Sequence, residues 1–453
     1  MKPNIILVVV DTLRKDAIDN NVDNENALGK LMADSVSYNN AIAPSSWTLP
    51  SHISMFTGKY PSEHGINESN VKKVSDYVNK MKIANYDPFT KKLKDEGYLN
   101  IGISANPYIS PYFLFNKYFD VFLDSSNKWT DHLPRDEVVD KIREKYSSYK
   151  YSSYLLSLIK GEGLFQGSSK FLRLLRFYVK ERETARLYNF PDDKGFSFVK
   201  EALESLHTSE PFFLFLNLME MHEPYKGFND YRAKMKTRTG DHISERLKQK
   251  LISKYHSQLE KIEYVIDVMI SYLKSKGYYD NTVIIFTSDH GQSLLSHSYF
   301  GHGIFLYDEL IRVPLIIKGA KKCQTSSRKE INQLVSLISI HDFVVKQARG
   351  FTDEEIKIND SVFSEAFGNH NPWDTKNLPE TYKLKRKAIY KDGWKLTLNE
   401  KGEIEEFFCY DEKETKNSER AKQDLLGEIY KFAEDGFLRS GADLKLNIQT
   451  PKK

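Results

Sequence analysis

Ile5-Ile6-Leu7-Val8-Val9-Val10 is apolar at every position, not at every second one. A strand with one wet face alternates apolar and polar residues. A run without alternation, rich in β-branched residues, reads as a strand covered on both faces, as in a parallel sheet. Phe212 to Leu218 and Thr282 to Thr287 read the same way. Val313 to Ile317 is a fourth run, in which Pro314 marks a strand start or an edge.

Helical patterns lie between these runs. Pro88 to Gly97 reads as a helix ended by Gly97, with a strand candidate at Asn100 to Ser104. Phe196 to Leu206 reads as a helix, and Ser253 to Lys276 as a long one with Gly277 beyond its end. Strands alternating with helices imply an α/β fold, a doubly wound, mostly parallel sheet flanked by helices.

Two stretches depart from that rhythm. Ser125 to Arg186 is rich in Tyr, Ser, Lys and Arg, and reads as a helical insertion, either a substrate cap or a structural subdomain. After about Gly350, short strand candidates appear at Ser361 to Phe367, Lys387 to Lys391, Trp394 to Leu398 and Glu405 to Tyr410. Asp392-Gly393 is a turn signal between two of them. With a helix at Ser418 to Ala433, these form a small C-terminal α+β subdomain. The expected division is therefore 1–348 for the main domain and 349–453 for the subdomain and a loosely packed tail.

Composition narrows the function classes. A chain of 453 residues, 40% hydrophobic, has enough apolar material for a large core. Its 66 basic and 62 acidic side chains leave a net charge of +4, with no case for a nucleic-acid surface. Two cysteines, Cys323 and Cys409, exclude a disulfide framework. The first apolar run is too short for a secretory leader, and no stretch is long enough to span a membrane. The expectation is a soluble, cytoplasmic protein. Membrane contact through the basic insertion is possible but has no support.

The chemistry gathers at strand ends. In an open α/β sheet, ligands bind beyond the carboxyl ends of the strands. Asp11 ends the first run, as a hard-cation ligand or as a cap for the next helix. Ser288-Asp289-His290-Gly291 ends the third run, and carboxylate plus imidazole suits Zn, Mn or a similar ion. Pro44 to Pro61, with Ser62-Glu63-His64-Gly65 after it, mixes hydroxyls, prolines and a helix start. A hydroxyl there is either an anion-facing group at a helix N-terminus or a plain N-cap.

This segment resembles the active-site signature of the sulfatase-like proteins of the alkaline phosphatase superfamily. In that family a nucleophile precedes x-Pro-Ser-x-x-x-x-x-Thr-Gly and a Tyr-Pro pair. Thr48 falls on the nucleophile, and Pro50, Ser51, Thr57, Gly58, Tyr60 and Pro61 match around it. Pro3-Asn4 with the strand to Asp11 resembles the family's N-terminus, and Thr287 to Gly291 its late metal motif. His222-Glu223-Pro224-Tyr225 resembles its His-x-Pro-Tyr element. Gly301-His302-Gly303, Tyr307, Glu309 and Arg312 to Leu315 resemble the segment that follows the metal motif. Lys387 to Asp411 faintly resembles its C-terminal subdomain.

Three departures shape what the resemblance implies. Sulfatases carry Cys or Ser at the nucleophile, converted to formylglycine, and Thr48 cannot undergo that conversion. Their Arg four residues later is His52 here, and Thr12 replaces the second Asp of their Asp-Asp pair. A Thr nucleophile resembles the nucleotide pyrophosphatase/phosphodiesterase branch and the phosphoethanolamine and glycerophosphate transferases.

The resemblance thus implies one divalent ion, Zn or Mn before Ca or Mg, held by Asp11, Asp289, His290 and Thr48. It implies covalent attack by Thr48 on a phosphate ester, phosphodiesters above all. His222 and His302 would be catalytic, protonating the leaving group or binding a second metal. The substrate would be a small anionic ester, such as a glycan, lipid head group or nucleotide. Alternatives are a sulfuric ester hydrolase without formylglycine and a non-catalytic binding protein that keeps the fold. A phosphomutase would need a Ser nucleophile and a second complete metal set, and the sequence shows neither. His64 and His297 read as loop residues, and His52 as a packing or site residue one turn below Thr48.

Overall fold

The computed structural model describes residues 2–67, 87–125, 193–320, 329–368 and 379–432, apart from a few single positions within these ranges. The stretch read as a helical insertion lies outside the described residues almost entirely, as do Cys323 and the C-terminal tail.

The main sheet is built around β1 (Asn4–Val10). Strand β2 is Val36–Ile42, β3 Leu99–Ser104, β4 Val121–Asp124, β5 Phe212–Leu218 and β6 Thr282–Thr287. A two-stranded ribbon follows, β7 (Ser293–Leu294) with β8 (Phe300–Gly301). Then come β9 (Arg312–Val313), β10 (Leu315–Lys318) and β11 (Lys329–Ser336). The sheet order is β11-β2-β10-β6-β1-β5-β3-β4, with β9 added beside β2. Strand β1 runs parallel to both β5 and β6, and β3 lies parallel to β5 and β4.

The central strands are apolar throughout because both faces are covered. Ile5, Leu7 and Val9 enter one core with Phe213, Phe215, Val283 and Ile285. Ile6, Val8 and Val10 enter the other with Leu214, Leu216, Ile284 and Phe286. Helices Thr48–Thr57, Phe89–Asp95 and Ser339–Ala348 contribute to the first core. Helices Ala27–Ala33, Phe196–Glu204 and Leu259–Ser275 contribute to the second.

Three details differ from the sequence reading. The run Val313 to Ile317 is split at Pro314, and β10 runs antiparallel between β6 and β2, inside the sheet. Pro314 therefore marks a strand start, since a residue without an amide donor fits between β9 and β10 but not within either. The long helix from Ser253 is two, Glu245–His256 and Leu259–Ser275, broken at Ser257-Gln258. No described helix is long and apolar enough to cross a membrane.

The C-terminal sheet is antiparallel, in the order β12 (Ser361–Ala366), β13 (Arg386–Lys391), β14 (Trp394–Asn399) and β15 (Ile404–Cys409). Asp392 and Gly393 both have positive φ, 48° and 77°, as the tight turn between β13 and β14 requires. Helix Ser418–Phe432 packs Leu425 and Ile429 on Ile389, Leu396 and Leu398. On the other side Val362, Ala388 and Tyr390 pack with Ile42, Phe305 and Leu310 of the main body.

Candidate active site

Parallel neighbours end at one edge, so β1, β3, β5 and β6 deliver their next residues to one place. Asp11 follows β1 and its amide donates to Leu218 O of β5 at 2.8 Å. Thr12 then takes a left-handed φ of 61°, which a β-branched residue adopts only when its surroundings impose it. Its amide donates to Asp289 Oδ1 at 3.3 Å. Its hydroxyl donates to Asp11 O at 2.6 Å. Ser288 Oγ joins the strand ends, donating to Val10 O at 2.6 Å and accepting from Leu13 N at 3.0 Å.

Thr48 is the first residue of its helix, and Trp47 is the N-cap. The hydroxyl therefore makes no capping bond. It donates to Asp11 Oδ2 at 3.2 Å and lies 3.2 Å from His290 Nε2. It is also only 2% exposed, so the residue is buried and not at the surface. Neighbouring helix residues fix it. Ser51 Oγ donates to Asp289 O at 2.7 Å, and His52 Nδ1 donates to Thr48 O at 2.9 Å. The Asn217 amide donates to His52 Nε2 at 3.0 Å, and burial pushes the His52 imidazole down to about 3. His52 is thus a neutral positioning group beneath the site.

His290 Nδ1 donates to Gly291 O at 2.9 Å, which leaves the Nε2 lone pair facing Thr48. Gly291 admits no side chain, since a Cβ there would sit 2.0 Å from Glu309 O. Ligand atoms of Asp11, Asp289 and His290, all buried, lie within 4.8 Å of one another. Burial, reinforced for Asp11 by the Asp289 charge, raises both carboxyl groups to about 7. Asp11 Oδ1 and Asp289 Oδ2 are buried with no hydrogen-bond partner. Two destabilised carboxylates, each with an orphaned oxygen, beside a neutral imidazole fit a divalent cation.

His222 and His302 come together as a pair, ring centroids 4.9 Å apart, with His302 4.6 Å from His290. Glu223 completes this second group, whose ligand atoms also lie within 4.8 Å of one another. His222 Nδ1 donates to Glu223 O, and His302 Nδ1 donates to Gln292 Oε1 at 2.7 Å, so each Nε2 is left open. Burial, then the neighbouring His290, holds the His302 imidazole well below its ordinary range. Burial works against its charge, but His222 and Lys234 beside it hold the Glu223 carboxyl well below the usual carboxylate range. Lys234 and the Gln292 amide both donate to its carboxylate.

The sequence reading did not single out Glu223 or Asn106. Asn106 donates to Asp11 Oδ2 at 2.6 Å. Its place just past β3 was available to the strand-end rule, as was Asn217 at the end of β5. Glu223 depends on the path of a loop, which no periodicity encodes. His64, which reads as a loop residue in the sequence, is buried and donates from Nε2 to Ser54 Oγ at 2.9 Å. His297 is exposed and pairs with Glu309 at 2.9 Å.

Comparisons with known proteins bear on the family and the fold. The family profile described as Sulfatase matches residues 3–350. An arylsulfatase of Volvox carteri is 32% identical over 79 residues, 17% of this chain and 12% of that protein. An N-acetylglucosamine-6-O-sulfatase of Bacteroides thetaiotaomicron is 36% identical over 87 residues, 18% of this chain and 15% of that protein. The alignments thus span only a small part of these curated relatives' lengths. The phosphonate monoester hydrolase of Silicibacter pomeroyi superposes with a TM-score of 0.61 at 14% identity, covering 95% of this chain and 96% of that one. That of Agrobacterium radiobacter has the same TM-score at 15% identity, covering 95% of each chain. A structure in complex with its substrate D-glucosamine-2-N,6-O-disulfate has a TM-score of 0.59 at 14% identity, covering 95% of this chain and 97% of that one.

Proposed function

The chain belongs to the sulfatase family, and from that premise we propose that it is a metal-dependent hydrolase or transferase of phosphate esters, with phosphodiesters the favoured class, acting through Thr48. One observation carries this reading. The Thr48 hydroxyl lies 3.2 Å from both a carboxylate oxygen of Asp11 and the lone-pair nitrogen of His290, and it caps nothing. A side chain serving only the helix would face the helix amides.

Asp11, Asp289 and His290, with the Thr48 oxygen, would hold one divalent ion. Bound there, it would supply Lewis acidity, lowering the proton affinity of the hydroxyl and offsetting charge on the phosphoryl oxygens. Thr48 gives up its proton to Asp11 Oδ2, which already accepts its hydroxyl hydrogen bond and leaves Oδ1 for the cation, and attacks phosphorus. The ester oxygen leaves as the bond to Thr48 forms, giving a phosphothreonine. Pro50 has no amide hydrogen, so at the start of helix Thr48–Thr57 the Thr48 and Leu49 amides would be the donors to the equatorial oxygens. His222 or His302, whose rings pair 4.9 Å apart beside His290, would protonate the leaving oxygen. Alternatively His222, Glu223 and His302 take a second cation. Water or an acceptor alcohol then releases the phosphoryl group.

The substrate is read as a small anionic ester. A glycan is favoured over a lipid head group or nucleotide, because a structural neighbour holds a sulfated sugar. A sulfuric ester is the second reading, favoured by the sulfatases among the aligned relatives. Initial rates on bis-nitrophenyl phosphate, nitrophenyl phosphate and nitrophenyl sulfate, each with Zn, Mn, Mg or Ca, separate the two. Faster turnover of a phosphate ester is expected. A clear preference for the sulfate would overturn the phosphate reading, and no turnover with any metal would favour a binding protein.

A further inference from the structure

One residue of the C-terminal sheet grips both ends of the segment that carries Thr48. Upstream, the Glu365 amide donates to Pro44 O at 2.9 Å, and Ser45 and Glu365 form an isolated parallel bridge. Downstream, Glu365 Oε2 accepts the Ser62 amide at 2.8 Å. The other carboxylate oxygen accepts from Lys387 Nζ on the adjacent strand. Glu365 is 0% exposed, and so is Ser45. Two flanking contacts support the same junction. The Phe363 amide donates to Tyr60 OH at 3.4 Å, and the Tyr60 ring packs edge-on against Phe363 at 6.2 Å.

The choice of residue is informative. A buried ion pair costs desolvation, and well-packed apolar side chains of similar volume commonly serve stability as well or better. What the apolar pair lacks is an acceptor for Ser62. With Pro44 and Ser62 both fixed to Glu365, the loop Ser45-Ser46-Trp47 and the helix Thr48–Thr57 have a set separation at their bases. Displacements of about 1 Å at a reacting group can cost roughly a hundredfold in rate.

We propose that Glu365 is a positioning residue for Thr48, a clamp from the C-terminal sheet that sets where the hydroxyl meets Asp11 and His290. This rests on Thr48 being the nucleophile. The test uses the full, metal-loaded chain in two variants that both lack the ion pair. Glu365→Gln/Lys387→Met keeps an acceptor for Ser62, and Glu365→Leu/Lys387→Met does not.

Expected for the Leu variant is a fall in kcat of about 10- to 100-fold, with KM changed less than about twofold. Bound metal should be unchanged, and amide exchange should be faster at residues 45–52 but not in β1 or β6. The Gln variant should stay close to wild type in both readouts. Equal kcat and equal exchange in the two variants would overturn the proposal, as would faster exchange spread over the whole chain. If the wild type turns over no ester, the nucleophile reading fails, and exchange at residues 45–52 still decides whether Glu365 holds the segment. Should the Leu variant not fold, Glu365→Ala/Lys387→Met, which also lacks the acceptor, takes its place against Glu365→Gln/Lys387→Met. Exchange at 45–52 should then be faster in the Ala variant, and equal exchange in the two would overturn the clamp.

Discussion

Asn106 donates its side-chain amide to Asp11 Oδ2 at 2.6 Å, and by doing so decides which carboxylate oxygen is left over. Oδ1 is the orphan, and it lies 4.0 Å from His290 Nε2. Supporting bonds of this kind orient a ligand and tune its basicity, and their loss typically costs about 10- to 100-fold in metal affinity. Asn106→Ala should therefore weaken Zn or Mn binding by that factor, measured by competition with a chromogenic chelator. Unaltered affinity would show that Asn106 serves the loop and not the carboxylate.

Asp11→Ala and Asp289→Ala should each lose bound metal and activity together. Each removes one of two anionic donors, while the apolar strands beneath remain intact. Elemental analysis of the purified variants, with circular dichroism to check folding, is the measurement. Full occupancy in both would mean the metal is held elsewhere.

The same two carboxyl groups predict how stability varies with pH. Burial raises both from 3.8 to about 7, so the folded, metal-free chain favours their protonated forms. Their contribution is fully present below about 4, the unfolded value. It is lost as pH rises through about 7, where the folded state must carry the buried charges or release the fold. Metal binding uses the ionised forms and so expels protons. The gap in Tm between metal-loaded and chelator-treated protein should widen from about pH 5 to about pH 8. A gap independent of pH would count against these two residues as ligands.

Thr48→Ala should abolish turnover without unfolding the protein, because the hydroxyl makes no cap and the helix has Trp47 at its N-cap. Each tenfold in rate corresponds to about 1.36 kcal/mol of barrier, so even a modest cost in stability is easily told apart from loss of a nucleophile. Thr48→Ser should keep part of the activity. A slow substrate should leave a phosphoryl group on the peptide around Trp47, read as a mass increase. Near-normal turnover in Thr48→Ala would end the covalent mechanism.

What the sequence disclosed was governed by what a pattern can encode. Strands β1, β5 and β6 were legible because burial on both faces removes alternation. Strand β2 was not, since Asn39 and Asn40 interrupt it. The Asn40 amide is satisfied by Asn332 O, a partner far along the chain. The antiparallel direction of β10 was hidden too, because an apolar run carries no sign of orientation. Asp11, Asp289 and His290 could be found from strand ends, and Thr48 from its motif. Asn106 and Glu223 enter through loops whose course depends on the assembled fold.

Strands β1 and β6 lie side by side, yet the Thr12 amide and the Asp289 carboxylate it meets are 277 positions apart in the chain. No local segment contains the donor set. A cation centre at these residues, as proposed, would be a late product of folding, since closing so long a loop must precede any reward from the contact. An amino-terminal fragment emerging from a ribosome would hold Asp11 and Thr48 but could not capture the ion. Metal uptake during refolding should report completion of the sheet, arriving with the last step and not the first.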